Sequence, residues 1–538
     1  MQTALSTQNP ARRIACVQLS GEFPDFCHRL VMPDYGMPLI GTILAQAGHE
    51  VRVFIEHVAP PVWEAIRRAD LVCMSTLSAG ADKTYRLADR IRAELGIPVI
   101  MGGTHATYFA RDCLDHCDFV VLGEGDETIL ELVDAISTGR DPGGVAGIAF
   151  RRGGETVLTL PRPGPRAFPT APDFRLIHGY RRLRRWDVLA ERRLPLVTVQ
   201  ASRGCHFHCS YCIVDTMFGG TYRTRDVESV IRDLRDKRQY GRELLFVDNN
   251  FAAVPRYTRA LLERMIDADL GYDVMVLTRA DVARHDELLD LMRRAGVTQL
   301  YQGYESVEPA TLSAYRKNQS LDRVRASIEK LHRHGFRISG SFVLGADTDT
   351  LATIDATIAF VLETQLAIAY LFPLWGHYAE QRQGGRPLVP RHRAIFKSWA
   401  HCDGNFVSHF PLQIRPSRLQ DALVRAHERV FSARAIAEAV RRQRWADAWE
   451  KATHRWMWST IQRPLREYIH WLESIEHGLY DERDRLREPQ LLMRLAEGPE
   501  WAFRVDDGAP APWRERKESA VAGGLRASAA ARRMGVRP

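Results

Sequence analysis

ASRGCHFHCSYC, residues Ala201–Cys212, begins where an apolar strand candidate, Leu196–Ala201, runs out. It holds three cysteines spaced C-x3-C-x2-C: Cys205, Cys209 and Cys212. Thiolates bind iron–sulfur clusters, and full protein ligation of a four-iron cluster takes four of them. Three closely spaced cysteines therefore leave one iron open, a place for a substrate to coordinate, as in catalytic metal sites generally. The competing reading is a structural zinc ion completed by His206 or His208. Structural zinc usually draws on two ligand pairs separated by a longer gap, and no second pair is visible. Cys113 and Cys117 read as ordinary thiols on a surface helix turn.

Outward from this loop, short apolar runs alternate with amphipathic stretches. The strand candidates are Leu196–Ala201, Leu244–Asp248, Val274–Thr278, Gln299–Gly303, Ile338–Leu344 and Ile368–Phe372. Six such units in about 180 residues predict an open β/α barrel over 195–383, smaller than the closed eight-fold form. The cysteine loop follows the first strand, at the barrel end where such folds place their chemistry.

Upstream, residues 13–140 alternate in the same way. Strands are expected at Ile14–Leu19, Val51–Ile55, Leu71–Ser75, Val99–Met101 and Phe119–Leu122. Helices are expected at Pro38–Ala47, Pro61–Arg68, Lys83–Leu95 and Thr128–Ile136. This pattern predicts a doubly wound parallel sheet, whose ligands gather at the carboxyl ends of the strands. Glycine-bearing loops stand there: STLSAG (Ser75–Gly80), GGTHAT (Gly102–Thr107) and LGEGDET (Leu122–Thr128). The GxGxxG dinucleotide fingerprint is missing. A hairpin at Val145–Leu160 and a proline-rich stretch at Pro161–Pro172 make up a connecting segment, 141–194.

Beyond about Gly384 the strand signal fades, and a helical region rich in Arg and Trp runs to 505. Trp445, Trp449 and Trp456 fall within about 40° of one another on a helix. A packing seam is the expected use of such a stripe; a lid over an apolar substrate, or a surface helix touching membrane, is the alternative. Trp458 faces elsewhere, and Pro464 is expected to start a new segment. His401-Cys402-Asp403 with His409 fits no strong metal template.

The net charge is +8, but residues 512–538 carry seven Arg or Lys against two Glu. That tail, within 506–538, reads as disordered, as do residues 1–12. The remainder is near balance, so the charge does not argue for nucleic acid. No apolar run of about 18 residues and no apolar leader core appear, and the cytoplasm is the expected compartment. An odd cysteine count, nine, argues against a disulfide framework.

The cysteine spacing, placed after a first barrel strand and with Tyr211 before the last cysteine, resembles the radical SAM superfamily. That resemblance implies a partial (β/α)6 barrel whose [4Fe–4S] cluster binds S-adenosylmethionine (SAM) through its open iron and cleaves it to a radical. It implies SAM contacts from Tyr211 at the adenine and from Asp248-Asn249-Asn250, which stands where the family's glycine-rich motif lies. It further implies contacts from Glu305 near the ribose, from Gly340 and Gly345 of an adenine-binding strand, and from Arg279 at the carboxylate. A structural salt bridge is the other role open to Arg279.

Ser75, Gly102, Gly103, His105, Gly123, Glu124 and Gly125 lie in loops that resemble the cobalamin-binding domain preceding many radical SAM barrels. The DxHxxG motif that supplies a histidine to cobalt is missing, so a backbone-bonded loop histidine is the plainer reading of His105. The combined resemblance implies a cobalamin-dependent radical SAM methyltransferase acting on an unactivated carbon of a small molecule or lipid. One SAM would methylate cobalamin and another would yield the radical, with a flavodoxin- or ferredoxin-type reductant. Two other readings share the architecture. One is a cyclase like the anaerobic magnesium-protoporphyrin monomethyl ester cyclase; the other is a non-catalytic corrinoid or iron–sulfur sensor or electron carrier.

Overall fold

In the computed structural model, the described residues are 12–23, 30–31, 34–168, 170–181, 194–375 and 388–487. The expected 506–538 tail and residues 1–11 lie outside them.

Arg13–Gln18, Glu50–Ile55, Leu71–Ser75, Val99–Gly102 and Phe119–Val121 form a parallel sheet in which the second strand lies outside the first. Such strands are buried on both faces, and the first is exposed only at Arg13 and buried from Ile14 to Gln18. Helices Gly36–Gln46 and Thr128–Thr138 cover one face, and Ala81–Leu95 with Ala110–His116 the other. The hairpin expected in the connecting segment completes this sheet: Ile148–Arg152 pairs antiparallel with Phe119–Val121 and with Glu155–Leu158. Cys113 and Cys117 are buried, not on a surface turn, because their helix lays that side against the sheet.

The barrel strands are Val197–Val199, Glu243–Phe246, Asp273–Thr278, Val297–Glu305, Arg337–Leu344 and Ile368–Pro373. They pair in sequence order, all parallel, so the barrel is open between its first and last strands. Helices Pro416–Val430 and Trp445–Ile475 pack at the last strand.

Two expectations for this C-terminal region need correction. Helix Trp445–Ile475 runs unbroken through Pro464. Proline there removes one amide from the ladder, and the acceptor it leaves, on exposed Thr460, faces solvent. The tryptophan stripe is also not a packing seam: Trp445, Trp449 and Trp456 are 64%, 67% and 42% exposed. The helix seats itself instead through Ile461, Leu465, Tyr468 and Leu472, which the 3.6-residue period puts on the opposite side. Trp458 does face away, stacked at 3.8 Å on His427.

Candidate active site between the two domains

The cysteine loop is pinned to the neighbouring strand by Asp248 and Asn249. Asp248 is buried, and its carboxylate accepts from the Ala201 amide (2.9 Å) and the Ser202 hydroxyl. Asn249 Oδ1 accepts from the Gly204 amide at 3.1 Å. Gly204 has φ +84°, and a Cβ there would stand 2.0 Å from the Thr221 carbonyl oxygen, so only glycine turns the chain into Cys205. Asp248 and Asn249 thus hold the loop, a role distinct from the SAM contact that the resemblance implies. Burial pushes the Asp248 carboxyl up to about 6, against the opposing pull of its Ser202 and Ala201 hydrogen bonds.

A carboxyl raised in this way binds its proton more tightly in the folded chain than in the unfolded one. Its contribution to stability therefore falls as pH rises from about 4 to about 6. Asp248→Asn should flatten that part of the curve. Chemical unfolding of cluster-free protein across the window is expected to show the variant gaining on the wild type as pH rises.

Cys209 is buried, and Cys205 and Cys212 are half-buried. Burial pushes the Cys205 thiol up from its ordinary range. The Arg279 guanidinium lies 3.8 Å from Cys209 Sγ and 3.8 Å over the Phe207 ring, and it donates to the Lys317 carbonyl at 3.3 Å. Arg279 Nε is buried with no hydrogen-bond partner among the described residues, although Asp281 stands 3.7 Å away. His208 is taken up by Asp215 at 2.8 Å. Among the described residues, no three His, Cys, Asp or Glu side chains converge as ligands of a single metal ion would. A four-iron cluster takes each thiolate on a different iron and needs no such convergence.

Tyr211 donates to Glu305 Oε1 at 2.8 Å, and Lys317 Nζ reaches the same oxygen at 3.0 Å and the phenol at 3.2 Å. This buried triad ties the end of the fourth strand to the cysteine loop. Glu305 itself adopts φ +72° at a register shift between its strand and the next. Sequence reading missed Lys317. It sits between Arg316 and Asn318, both with positive φ, in a stretch with no motif to flag it.

Gly340 faces away from the site. A Cβ there would meet Leu366 at 2.7 Å and Tyr304 at 2.9 Å, on the helix-covered outside of the barrel, so its small size serves packing. Gly345 is at the strand's exit, its amide bonded to Asp349 (2.9 Å) and its carbonyl to His409 Nε2 (2.8 Å). His401 instead bonds Ser398, so the possible second histidine set does not assemble.

Above the N-terminal sheet, a cavity of about 380 Å³ has Ser75, Gly102, Gly103, Gly123, Glu124 and Gly125 in its wall. It runs down between the sheet and the helices that carry Leu39, Ile40 and Ile129, and it meets Gln200, Arg203, Met217 and Phe218 of the barrel domain. His105 is not in this wall. It is fully buried, with Nδ1 2.9 Å from Ser78 Oγ and Nε2 2.7 Å from Tyr85 Oη. Burial lowers its pKa to about 3, so the ring is neutral. His105 is therefore a core histidine held by two side chains, not by backbone.

Glu124 has a further duty. Arg203, two residues before Cys205, is 3.0 Å from Glu124 and 2.9 Å from Asp126, and Arg223 also pairs with Glu124. These charges are almost wholly buried and clamp the GEGD loop to the cysteine loop.

With this geometry in hand, two family matches fall on the two halves of the cavity. Residues 26–133 match the B12 binding domain, and residues 199–361 match the radical SAM superfamily. The chain carries a B12-binding domain followed by a radical SAM domain. Among its curated relatives is the bacteriochlorophyllide d C-12(1)-methyltransferase of Chlorobaculum tepidum, 26% identical over 60% of this chain and 67% of the relative. Another is the anaerobic magnesium-protoporphyrin IX monomethyl ester cyclase of a Synechocystis strain, 28% identical over 56% of this chain and 62% of the relative. The chain thus spans about two thirds of the length of the relatives it matches. The solved structure of TsrM from Kitasatospora setae, with cobalamin and a [4Fe–4S] cluster bound, shares the fold with a TM-score of 0.58 at 18% identity. It covers 82% of this chain and 89% of TsrM.

The radical SAM domain implies a [4Fe–4S] cluster and SAM, and the B12-binding domain implies cobalamin. The residues present fit these groups. Three thiols stand on one loop beside the cation of Arg279, whose Nε makes no hydrogen bond and has Asp281 as its ion-pair partner at 3.7 Å. Gly103 (φ +93°) and Gly125 keep the cavity open where a Cβ would crowd Ser75 Oγ at 3.2 Å and Val121 at 3.3 Å. No histidine lines the cavity among its described residues, so this wall offers cobalt no imidazole.

Proposed function

We propose that this radical SAM protein methylates an unactivated carbon of an apolar small-molecule or lipid acceptor. The observation that carries the reading is the shared cavity: one wall comes from the B12-binding loops and the facing wall from the residues around the cysteine loop. Cys205, Cys209 and Cys212 would hold the cluster, and Ser75, Gly102, Gly103, Gly123 and Gly125 would border cobalamin. When bound, the cluster supplies the electron that cleaves SAM, and cobalamin carries the methyl group.

The chain's own residues do the positioning. Arg279 offers its cation to an anion beside the cluster. The Tyr211–Glu305–Lys317 triad fixes the loop against the fourth strand, and the Arg203 clamp fixes it against the B12-binding domain.

For the acceptor, a second cavity of about 350 Å³ lies beside the last barrel strand, at the barrel's open side. Tyr301, Tyr370, Phe372, Phe431 and Trp458 give it aromatic walls, which suit an apolar, ring-bearing molecule. Tyr301 and Tyr370, on the strands either side of Ser339 and Ser341, lean to 5.3 Å across those small residues. A flavodoxin- or ferredoxin-type protein is the natural electron donor.

The test supplies reconstituted protein, under reducing anaerobic conditions, with methyl-labelled SAM and an organic-solvent extract of its source cells. The expected outcome is label in one extracted compound alongside 5′-deoxyadenosine. The second reading, a cyclase without methyl transfer, has a named relative of that activity behind it. 5′-Deoxyadenosine and a changed but unlabelled product would establish it and end the methylation reading.

A further inference from the structure

Soluble chains rarely leave three large aromatics partly exposed on one face of one helix. Trp445, Trp449 and Trp456 do so, at 64%, 67% and 42% exposure, with Val440 at 38% just ahead of them on the preceding helix. The exposure is not needed to seat the helix, since its opposite side already carries the packing residues. Nor does it serve the cavity at the barrel's open side, which takes His454, Met457, Trp458 and Ile461 from that opposite side.

What surrounds the tryptophans is basic. Residues 433–467 contain eight Arg or Lys against four Asp or Glu. Two of those acids and two of those bases are consumed inside the fold: Asp447 pairs with Arg337 and Arg444, Glu450 pairs with Arg337, and buried Lys451 donates to the Leu366 carbonyl. Of the other two acids, Glu438 serves both Arg441 and Arg442, and Glu467 serves Arg463. Exposed arginines, Arg434, Arg441, Arg442, Arg455 and Arg463, thus border the tryptophan face with few acids to neutralise them.

Tryptophan prefers the boundary between headgroups and acyl chains, where its ring is half in an apolar phase and its N–H still meets polar groups. Arginines at the edge of such a face meet anionic headgroups. No described helix is long and apolar enough to cross a bilayer. The element has the make-up of one that lies on a surface.

We infer that the helix Trp445–Ile475 seats the protein on an anionic lipid bilayer, with Trp445, Trp449 and Trp456 entering the interface and the bordering arginines meeting the headgroups. A second copy of the chain is the other occupant such a face could take. The charge decides against it, because a two-fold contact would bring the same arginines together.

The test uses the full-length chain without added cofactors, so it does not depend on methyl transfer. Flotation with vesicles of phosphatidylcholine and phosphatidylglycerol in equal parts is compared with phosphatidylcholine alone, and tryptophan emission is read with brominated lipid as quencher. Binding to the anionic vesicles should exceed binding to the neutral ones by about tenfold and weaken as salt rises. Quenching by the brominated chains should report the rings at the acyl boundary. A Trp445→Ser, Trp449→Ser, Trp456→Ser triple variant should lose about tenfold of that binding with an unchanged thermal midpoint, since the three side chains are exposed. If that variant unfolds early, Arg441→Gln with Arg442→Gln should still weaken binding to the anionic vesicles alone. Failure of the wild type to float with anionic vesicles overturns the inference. Equal flotation of a folded triple variant does too, as does a tryptophan-dependent dimer that binds no lipid.

Discussion

Replacing Cys209 with alanine should leave a folded chain that cannot hold a four-iron cluster. Three thiolates are already the minimum that such a cluster accepts with one iron left open, so no spare ligand exists on the loop. The loop is held in place without Cys209's sulfur. Asp248 and Asn249 fix its beginning, and Ser210 fixes its far side through bonds to the carbonyls of Tyr315 (3.0 Å) and Ala314 (2.7 Å). Thermal unfolding of the cluster-free variant should therefore stay within about 2 kcal/mol of the cluster-free wild type, the cost of trimming one small buried side chain. Iron and sulfide content after reconstitution should fall to background, as should the visible absorption of the cluster. Cys205→Ala and Cys212→Ala should behave alike. Full cluster occupancy in any of the three would mean that another residue ligates iron.

The second large effect is expected at Arg203. Its guanidinium sits between Glu124 and Asp126, with Gln200 accepting from Nε at 2.9 Å and the Phe168 ring 4.5 Å away. Arg203→Ala strands two carboxylates in a buried place, where, among the described residues, Arg223 alone remains to serve Glu124. Breaking one side of a buried ion pair typically costs about 3–5 kcal/mol, much of it the penalty of the unpaired partner. The folding midpoint of the variant should drop accordingly. Adding Glu124→Gln and Asp126→Asn to Arg203→Ala should recover part of the loss, because neutral amides tolerate burial better than orphaned carboxylates. If Arg203→Ala alone costs nothing, the clamp does not hold the two domains together.

The strands were legible because parallel sheets bury both faces, so each wrote itself as a short unbroken apolar run such as Leu71–Ser75 or Ile368–Phe372. The cysteine loop was legible because cluster ligation demands a fixed local spacing. Contacts between distant residues left no such mark. Arg203 meets Glu124 across 79 positions, and Lys317 meets Tyr211 across 106. Nothing in SRG or YRKN states the partner. His105 and Gly340 were misplaced for the same reason. A histidine just past one strand and a glycine inside another look alike whether they turn toward a ligand or toward Tyr85 and Tyr304. The tryptophan periodicity was read correctly, but the side of a helix that is buried is fixed by its neighbours, and here the aliphatic stripe of Ile461, Leu465 and Leu472 took that place.

The cysteine loop and the cavity beside it should together act as a SAM-cleaving centre. The most direct measurement incubates anaerobically reconstituted protein with SAM and a strong one-electron reductant, and follows 5′-deoxyadenosine by mass spectrometry. The wild type should yield 5′-deoxyadenosine, and the variant with Cys205, Cys209 and Cys212 all replaced by alanine should yield none. A wild type that carries its full cluster and releases no 5′-deoxyadenosine would contradict it.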